Sequence, residues 1–307
     1  MTEIAAGLRF PEGPVAMPDG SVLFVEIARG TLSRAAPDGT VDVVAHLGGG
    51  PNGAAMGPDG KCYVCNNGGF QWFEKDGALF SGLQGDDYSG GRIERVDLAT
   101  GAVEVLYDSC DGAPLRGPND IVFDRHGGFW FTDHGKTRAR DLDRTGVYYA
   151  RWDGSAIRRV IFPLHAPNGI GLSADERTLY VAETPTARLL AFDLAEPGRI
   201  VKGGGETRWM HGRLLAARPD YTALDSLAVD GAGKVCVGTL FTGGIWVVDP
   251  ADGSSEFVPM PDPWPTNICF GGADLCTAYV TLSSSGRLVS LPWPRPGLAL
   301  NFLDRPA

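Results

Sequence analysis

Apolar and polar positions along the chain alternate in short, strand-length runs separated by turn residues, and no stretch carries the longer period of an amphipathic helix. Six segments align with one another: PEGPVAMPDGSVLFVE (11–26), PNGAAMGPDGKCYVCN (51–66), PNDIVFDRHGGFWFTD (118–133), PNGIGLSADERTLYVAE (167–183), LDSLAVDGAGKVCVGT (224–239) and TNICFGGADLCTAYVT (266–281). Each opens near a polar residue, runs through a short strand, turns at Asp or Gly, and ends in a stronger strand, which is the pattern of a hairpin. Further amphipathic runs follow, such as GRIERVDLATG (91–101), GVYYARWDG (146–154) and GGIWVVDPADG (243–253). Four strands per repeat make a propeller blade. The chain is therefore expected to be all-β, a six-bladed β-propeller with four antiparallel strands per blade, forming one domain over 1–307. Residues 1–8 are expected to add a strand to the last blade and close the ring.

The repeats also place polar groups. Glu12, Asn52, Asn119, Asn168, Asp225 and Asn267 stand at equivalent positions. In a propeller such positions lie at one height around the axis, so six oxygen-bearing side chains should meet at one mouth of the central channel. Asn and Asp at these points also suit plain turns, but Glu12 is not a turn former. A second register ends the hairpins with Glu26, Asn66, Asp133, Glu183, Thr239 and Thr281, predicting a supporting layer or a rim that touches substrate.

Charge narrows the partners. The net charge of −10 and pI near 5 disfavour nucleic acid and anionic membrane surfaces. The N-terminal residues show no signal-peptide pattern and no run of about 18 apolar residues occurs, so a cytoplasmic location is expected. The six cysteines are expected to be reduced, with the Cys62/Cys65 pair packing in a strand rather than binding metal.

Two carboxylates and several amide carbonyls form a set of hard oxygen donors, suited to one divalent ion such as Ca²⁺, Mg²⁺ or Mn²⁺ rather than a structural zinc. Glu12 and Asp225 buried together would need a cation or a proton. A cation with open positions polarises a carbonyl and acidifies water, so ester hydrolysis follows.

On these residues the chain resembles the senescence-marker-protein, gluconolactonase and luciferin-regenerating-enzyme family of six-bladed propellers, related to diisopropyl fluorophosphatase, over essentially its whole length. The resemblance implies metal ligands at Glu12 (PEGP), Asn119 (PNDIVFD), Asn168 (PNGIGLS) and Asp225 (LDSLAVD), with calcium foremost among Ca²⁺, Mg²⁺, Mn²⁺ and Zn²⁺. It implies Asp225 as catalytic general base or nucleophile, and substrate contacts at Asp120 and Asn267. Asn52 joins them by internal symmetry and His134 by its place at the rim. Two positions depart from the family: Gly117 stands where the animal sugar lactonases carry Arg, and Ser226 where Gly is frequent.

The expected activity is metal-dependent opening of a small lactone or ester. The alternatives are phosphotriester hydrolysis and a non-catalytic ligand-binding propeller; the oligomeric state stays open. An insertion at 67–90 carrying Phe70, Trp72, Phe73, Phe80 and Tyr88 either lies over the mouth, favouring a substrate less polar than a sugar, or packs on a blade. Gly135-Lys136-Thr137 lacks the upstream glycine of a phosphate loop, because position 130 is Trp. His46, His126, His165 and His211 show no ligand spacing, and no Gly-x-Ser-x-Gly elbow is present.

Overall fold

The computed structural model describes residues 1–201 and 212–305; His211 lies outside them. Six antiparallel sheets of four principal strands form a ring, each with its first strand in the repeat innermost. Blade 1 comprises Pro11–Ala16, Val22–Glu26, Thr31–Ala35 and Val41–His46. The inner strands of blades 2 to 6 are Pro51–Met56, Pro118–Phe123, Pro167–Leu172, Ala223–Val229 and Pro265–Gly271. The repeat predicts this order because each hairpin buries only one face alone and needs a neighbouring blade on the other.

Apolar side chains fill every gap between blades. Leu23, Val25, Cys62 and Val64 pack between blades 1 and 2; Cys65, Ile121, Phe129 and Phe131 between blades 2 and 3. Trp130, Ile170 and Val181 join blades 3 and 4, Leu224, Val237 and Trp246 blades 4 and 5, and Ile245, Ile268 and Val280 blades 5 and 6. Phe24, Ala35 and Leu288 complete the circle, with Ala5 and Leu8 from the N-terminal segment. That segment closes the ring: Thr2–Ala5 pairs antiparallel with Arg287–Pro292 as the outer strand of blade 6. All six cysteines are free thiols, and burial pushes Cys62 up to about 12, so the Cys62/Cys65 pair is packing material. Among the described residues no helix is long and apolar enough to cross a membrane.

One irregularity recurs at the same level of every blade. The register of inner and second strands shifts between Glu12 and Val15, Pro51 and Ala54, Pro118 and Ile121, Pro167 and Ile170, Leu224 and Leu227, and Pro265 and Asn267. These are β-bulges, in which two residues oppose one, and they re-aim side chains. In blades 2 to 5 the polar residue that opens the repeat sits inside the bulge.

Candidate metal centre at the channel mouth

The bulges turn Asn52, Asn119, Asn168 and Asp225, and with them Glu12 beside the bulge of blade 1, into one cavity of about 510 Å³ at the mouth of the channel. The backbones around the axis are nearly in contact, which explains the small residues beside the polar ones. A Cβ on Gly53 would lie 2.5 Å from the Asn119 carbonyl oxygen, and one on Gly169 would lie 2.7 Å from that of Asp225.

All four residues expected to hold the cation are buried. Glu12 Oε2 accepts from Asn267 Nδ2 at 2.8 Å and from the Gly13 amide, and Ser226 Oγ lies 3.3 Å from both Glu12 Oε1 and Asn168 Oδ1. Asn168 Nδ2 donates to Thr184 Oγ1 at 3.2 Å, which leaves its carbonyl oxygen for the axis. Asn119 Oδ1 is buried and has no hydrogen-bond partner among the described residues. A buried carbonyl oxygen without a donor is destabilising unless something electropositive faces it. Burial raises the Glu12 carboxyl, and burial together with the Glu12 charge raises Asp225 well above the usual carboxylate range. Two carboxylates, an orphaned amide oxygen and a second amide oxygen fit a hard divalent cation in both charge and donor type.

Asp120 and Asn267, expected against the substrate, line a smaller apolar cavity of about 110 Å³ on the other side of the ring. The Asp120 carboxylate is directed there by backbone amides, accepting from Ile121 N at 3.0 Å and, across the gap to blade 4, from Ile170 N at 3.1 Å. Burial and the Glu12 charge push it up to about 8. Asn267 reaches the site through Glu12, by its donated hydrogen bond. His134 and Asn52 do line the mouth; burial pushes His134 down to about 4, so its imidazole is neutral at pH 7.

The second polar register serves the blades rather than the substrate. Glu26 accepts from Arg9 N at 2.7 Å, Asn66 from Gly50 N at 2.8 Å, Asp133 from Gly117 N at 2.8 Å and Glu183 from His165 N at 2.8 Å. In these four blades the end of the second strand thus ties down the loop two or three residues ahead of the axial side chain; Thr239 instead donates to Gly244 O and Thr281 accepts from Asn267 N. The same loop explains Gly117, where a Cβ would lie 2.7 Å from the Gly135 carbonyl oxygen and leaves no room for arginine.

The insertion forms a hairpin, Phe70–Lys75 with Ala78–Gln84, that extends from blade 2 to blade 6 across the mouth. Leu79 N donates to Ser284 O at 2.8 Å, Phe80 packs on Trp264 with ring centroids 5.3 Å apart, and Gln84 N donates to Thr137 O at 2.9 Å. The rings form an arc: Tyr221 to Phe241 at 5.0 Å, Phe241 to Trp264 at 5.7 Å, Trp264 to Phe10 at 5.9 Å, Phe10 to Trp72 at 5.1 Å and Trp72 to Phe70 at 6.2 Å. Of these, all but Trp72 line the cavity that holds the polar ring. Beyond Phe70 and Trp72 in the insertion, no local sequence signal announces this arc, because its members come from five distant segments.

Over residues 10–284 the chain matches the sequence family described as SMP-30/Gluconolactonase/LRE-like region. It is 37% identical over 171 residues to a protein named Lactonase drp35 from Staphylococcus saprophyticus, covering 53% of this chain and 50% of that one. It is 28% identical over 206 residues to a protein named Gluconolactonase from Zymomonas mobilis, covering 60% and 51%. The chain thus spans about half the length of the curated relatives it matches. Among solved structures, a gluconolactonase from Xanthomonas campestris superposes with a TM-score of 0.74 at 26% identity, covering 95% of this chain and 89% of that chain. A calcium-binding regucalcin from Agrobacterium tumefaciens shares the fold at a TM-score of 0.72 and 18% identity, covering 97% and 94%. With the matched region extending through all six inner strands, the chain belongs to the SMP-30/gluconolactonase/LRE-like family.

Proposed function

We propose that this chain is a divalent-metal-dependent hydrolase that opens small lactones. The observation that carries the reading is the meeting of Glu12, Asn119, Asn168 and Asp225 in one mouth cavity, with the Asn119 side-chain oxygen Oδ1 buried and unpartnered among the described residues. These four residues would hold the ion, Ca²⁺ foremost by donor type. When bound, the dication supplies Lewis acidity toward a carbonyl oxygen and acidifies water. The chain's own contribution is positional and protonic. Asp225 takes the proton of the attacking water: burial and the Glu12 charge raise its carboxyl well above the usual carboxylate range, which makes it the more basic partner once ionised. Asn267 and Ser226 fix the Glu12 carboxylate so that it stays an acceptor. Neutral His134 and the Asn52 amide offer hydrogen bonds to the ring and carbonyl oxygens of a bound lactone.

The aromatic arc favours a lactone bearing an apolar substituent over a polyhydroxylated sugar lactone, because five of its rings line the same cavity as the polar ring. Metal-stripped protein reloaded with single ions should be screened against sugar, alkyl and phenyl lactones and against phosphotriesters. Lactone turnover that chelation abolishes, with an unchanged far-UV circular dichroism spectrum, is expected. Turnover of phosphotriesters alone assigns the site to that chemistry, and turnover of neither class makes it a binding platform.

A further inference from the structure

Outside the polar ring, among the described residues, the structure buries one cation that the chemistry above does not use. Lys136 leaves the loop after the second strand of blade 3 and is 2% exposed. Its Nζ donates to Asn67 Oδ1 and to Gly69 O, both at 2.8 Å, and lies 3.6 Å from the centroid of the Phe70 ring. Tyr88 stands further off, at 5.6 Å. Both oxygen acceptors are neutral. The three donors of an ammonium are thereby assigned to two oxygens and one aromatic face, all belonging to the base of the inserted hairpin.

That base needs an external support. Gly68 and Gly69 adopt φ of +82° and +115°, conformations open to glycine, and they form the elbow from which Phe70 enters the mouth cavity. Asn67 Oδ1 also accepts from Gly69 N at 2.9 Å, so a single oxygen couples the elbow to the lysine. The far end of the hairpin is anchored separately, on Ser284 and Trp264. Burying an ammonium is destabilising in general, and here burial pushes Lys136 down to about 7 against the opposing pull of Asp133 and Asp143. An apolar side chain of equal length would avoid that penalty but could bind neither the oxygens nor the ring face.

We propose that Lys136 is a positioning residue of the mouth: it fixes the Gly68–Gly69 elbow and the Phe70 ring, and through them sets the apolar wall that a lactone substituent meets. This rests on the lactonase reading for its kinetic consequence, but its structural content does not. The Lys136 side chain does not itself line the cavity, so its influence should pass through the elbow and the Phe70 ring that it holds.

The test is a double-mutant cycle of K136M and F70A, followed by amide hydrogen exchange and by kinetics on a phenyl-substituted lactone at pH 6.5. K136M should raise exchange in residues 67–75 roughly tenfold, about 1.4 kcal/mol at the tenfold constant, while the strands of blades 4 to 6 exchange as before. It should raise KM about tenfold with kcat within about twofold. In the F70A background the same substitution should move KM by less than about twofold. Additive effects on KM, or unchanged exchange at 67–75, would overturn the proposal. If wild-type protein turns over no lactone, the proposed function fails by itself, and the exchange of K136M against wild type still decides the role of Lys136.

Discussion

Replacing Asp225 by Asn separates the electrostatic account of the centre from a merely structural one. Asn keeps the shape and volume of Asp but removes a buried charge. In the metal-free ring, Glu12 and Asp225 are separated by one residue: Ser226 Oγ lies 3.3 Å from Glu12 Oε1, and Ser226 N donates to Asp225 Oδ1 at 3.1 Å. At roughly 6 Å and an effective dielectric of about 20, two such charges repel by about 3 kcal/mol. Unfolding entropy near 2.1 cal/mol/K per residue converts this, over 307 residues, to about 4 °C. Calorimetry in chelator at pH 8 should therefore find D225N melting about 4 °C above the parent. In excess Ca²⁺ the order should reverse, because the variant offers the ion one carboxylate instead of two, and lactone turnover should fall by about 10² to 10⁴. A variant that melts below the parent in chelator would refute the like-charge argument. One with an undiminished calcium-induced rise would refute the ligand assignment.

Three further outcomes are expected. Asp120, pushed up to about 8, makes the folded metal-free chain bind more protons than the unfolded one between about pH 4 and 8; its contribution to stability is fullest at low pH and is lost as pH rises, so chelated protein should melt higher at pH 5 than at pH 8.5, and a slope that calcium fails to flatten would contradict the reading. Deleting residues 1–8 removes the outer strand of blade 6 with the buried Ala5 and Leu8, and the melting temperature should drop by roughly 5 °C or more; an unchanged value in a thermal scan would show that the ring closes without that strand. Gly53→Ala forces a methyl against the blade 3 bulge, 2.5 Å from the Asn119 carbonyl oxygen, and should lower stability by about 2 kcal/mol or more in urea titration while weakening calcium binding measured by calorimetry.

Much of this architecture was legible because a propeller repeats its instructions. Alternating runs and turn residues recur six times, so the blades and the level of Glu12, Asn52, Asn119, Asn168, Asp225 and Asn267 follow from the alignment of the chain with itself. What the alignment does not carry is anything decided between blades. Asp120 and Asn267 look like further members of the mouth, yet the amides of Ile121 and Ile170 hold Asp120 on the far side of the ring, and Asn267 serves Glu12. Glu26, Asn66, Asp133 and Glu183 read equally well as a substrate rim; only the path of the preceding loop shows that they hold its amides. Lys136, set in a Gly-Lys-Thr triplet without a phosphate-loop context, gains its meaning from Asn67 and Phe70, nearly 70 residues earlier. The bulges themselves left no trace beyond a Pro-Asn or Leu-Asp pair.

Those bulges carry a lesson about how such a scaffold diversifies. Since the kink belongs to the main chain, whatever amino acid occupies it is delivered to the axis, and the blade needs no redesign to accept a different one. The mouth therefore behaves like a dial with five seats whose total charge is a sum of separate choices, two negative and three neutral here. Exchanging Asn52 for an acid would shift that sum by one without removing a hydrogen bond that the other seats depend on, which offers a route to retuning ion preference, and with it reactivity, one seat at a time.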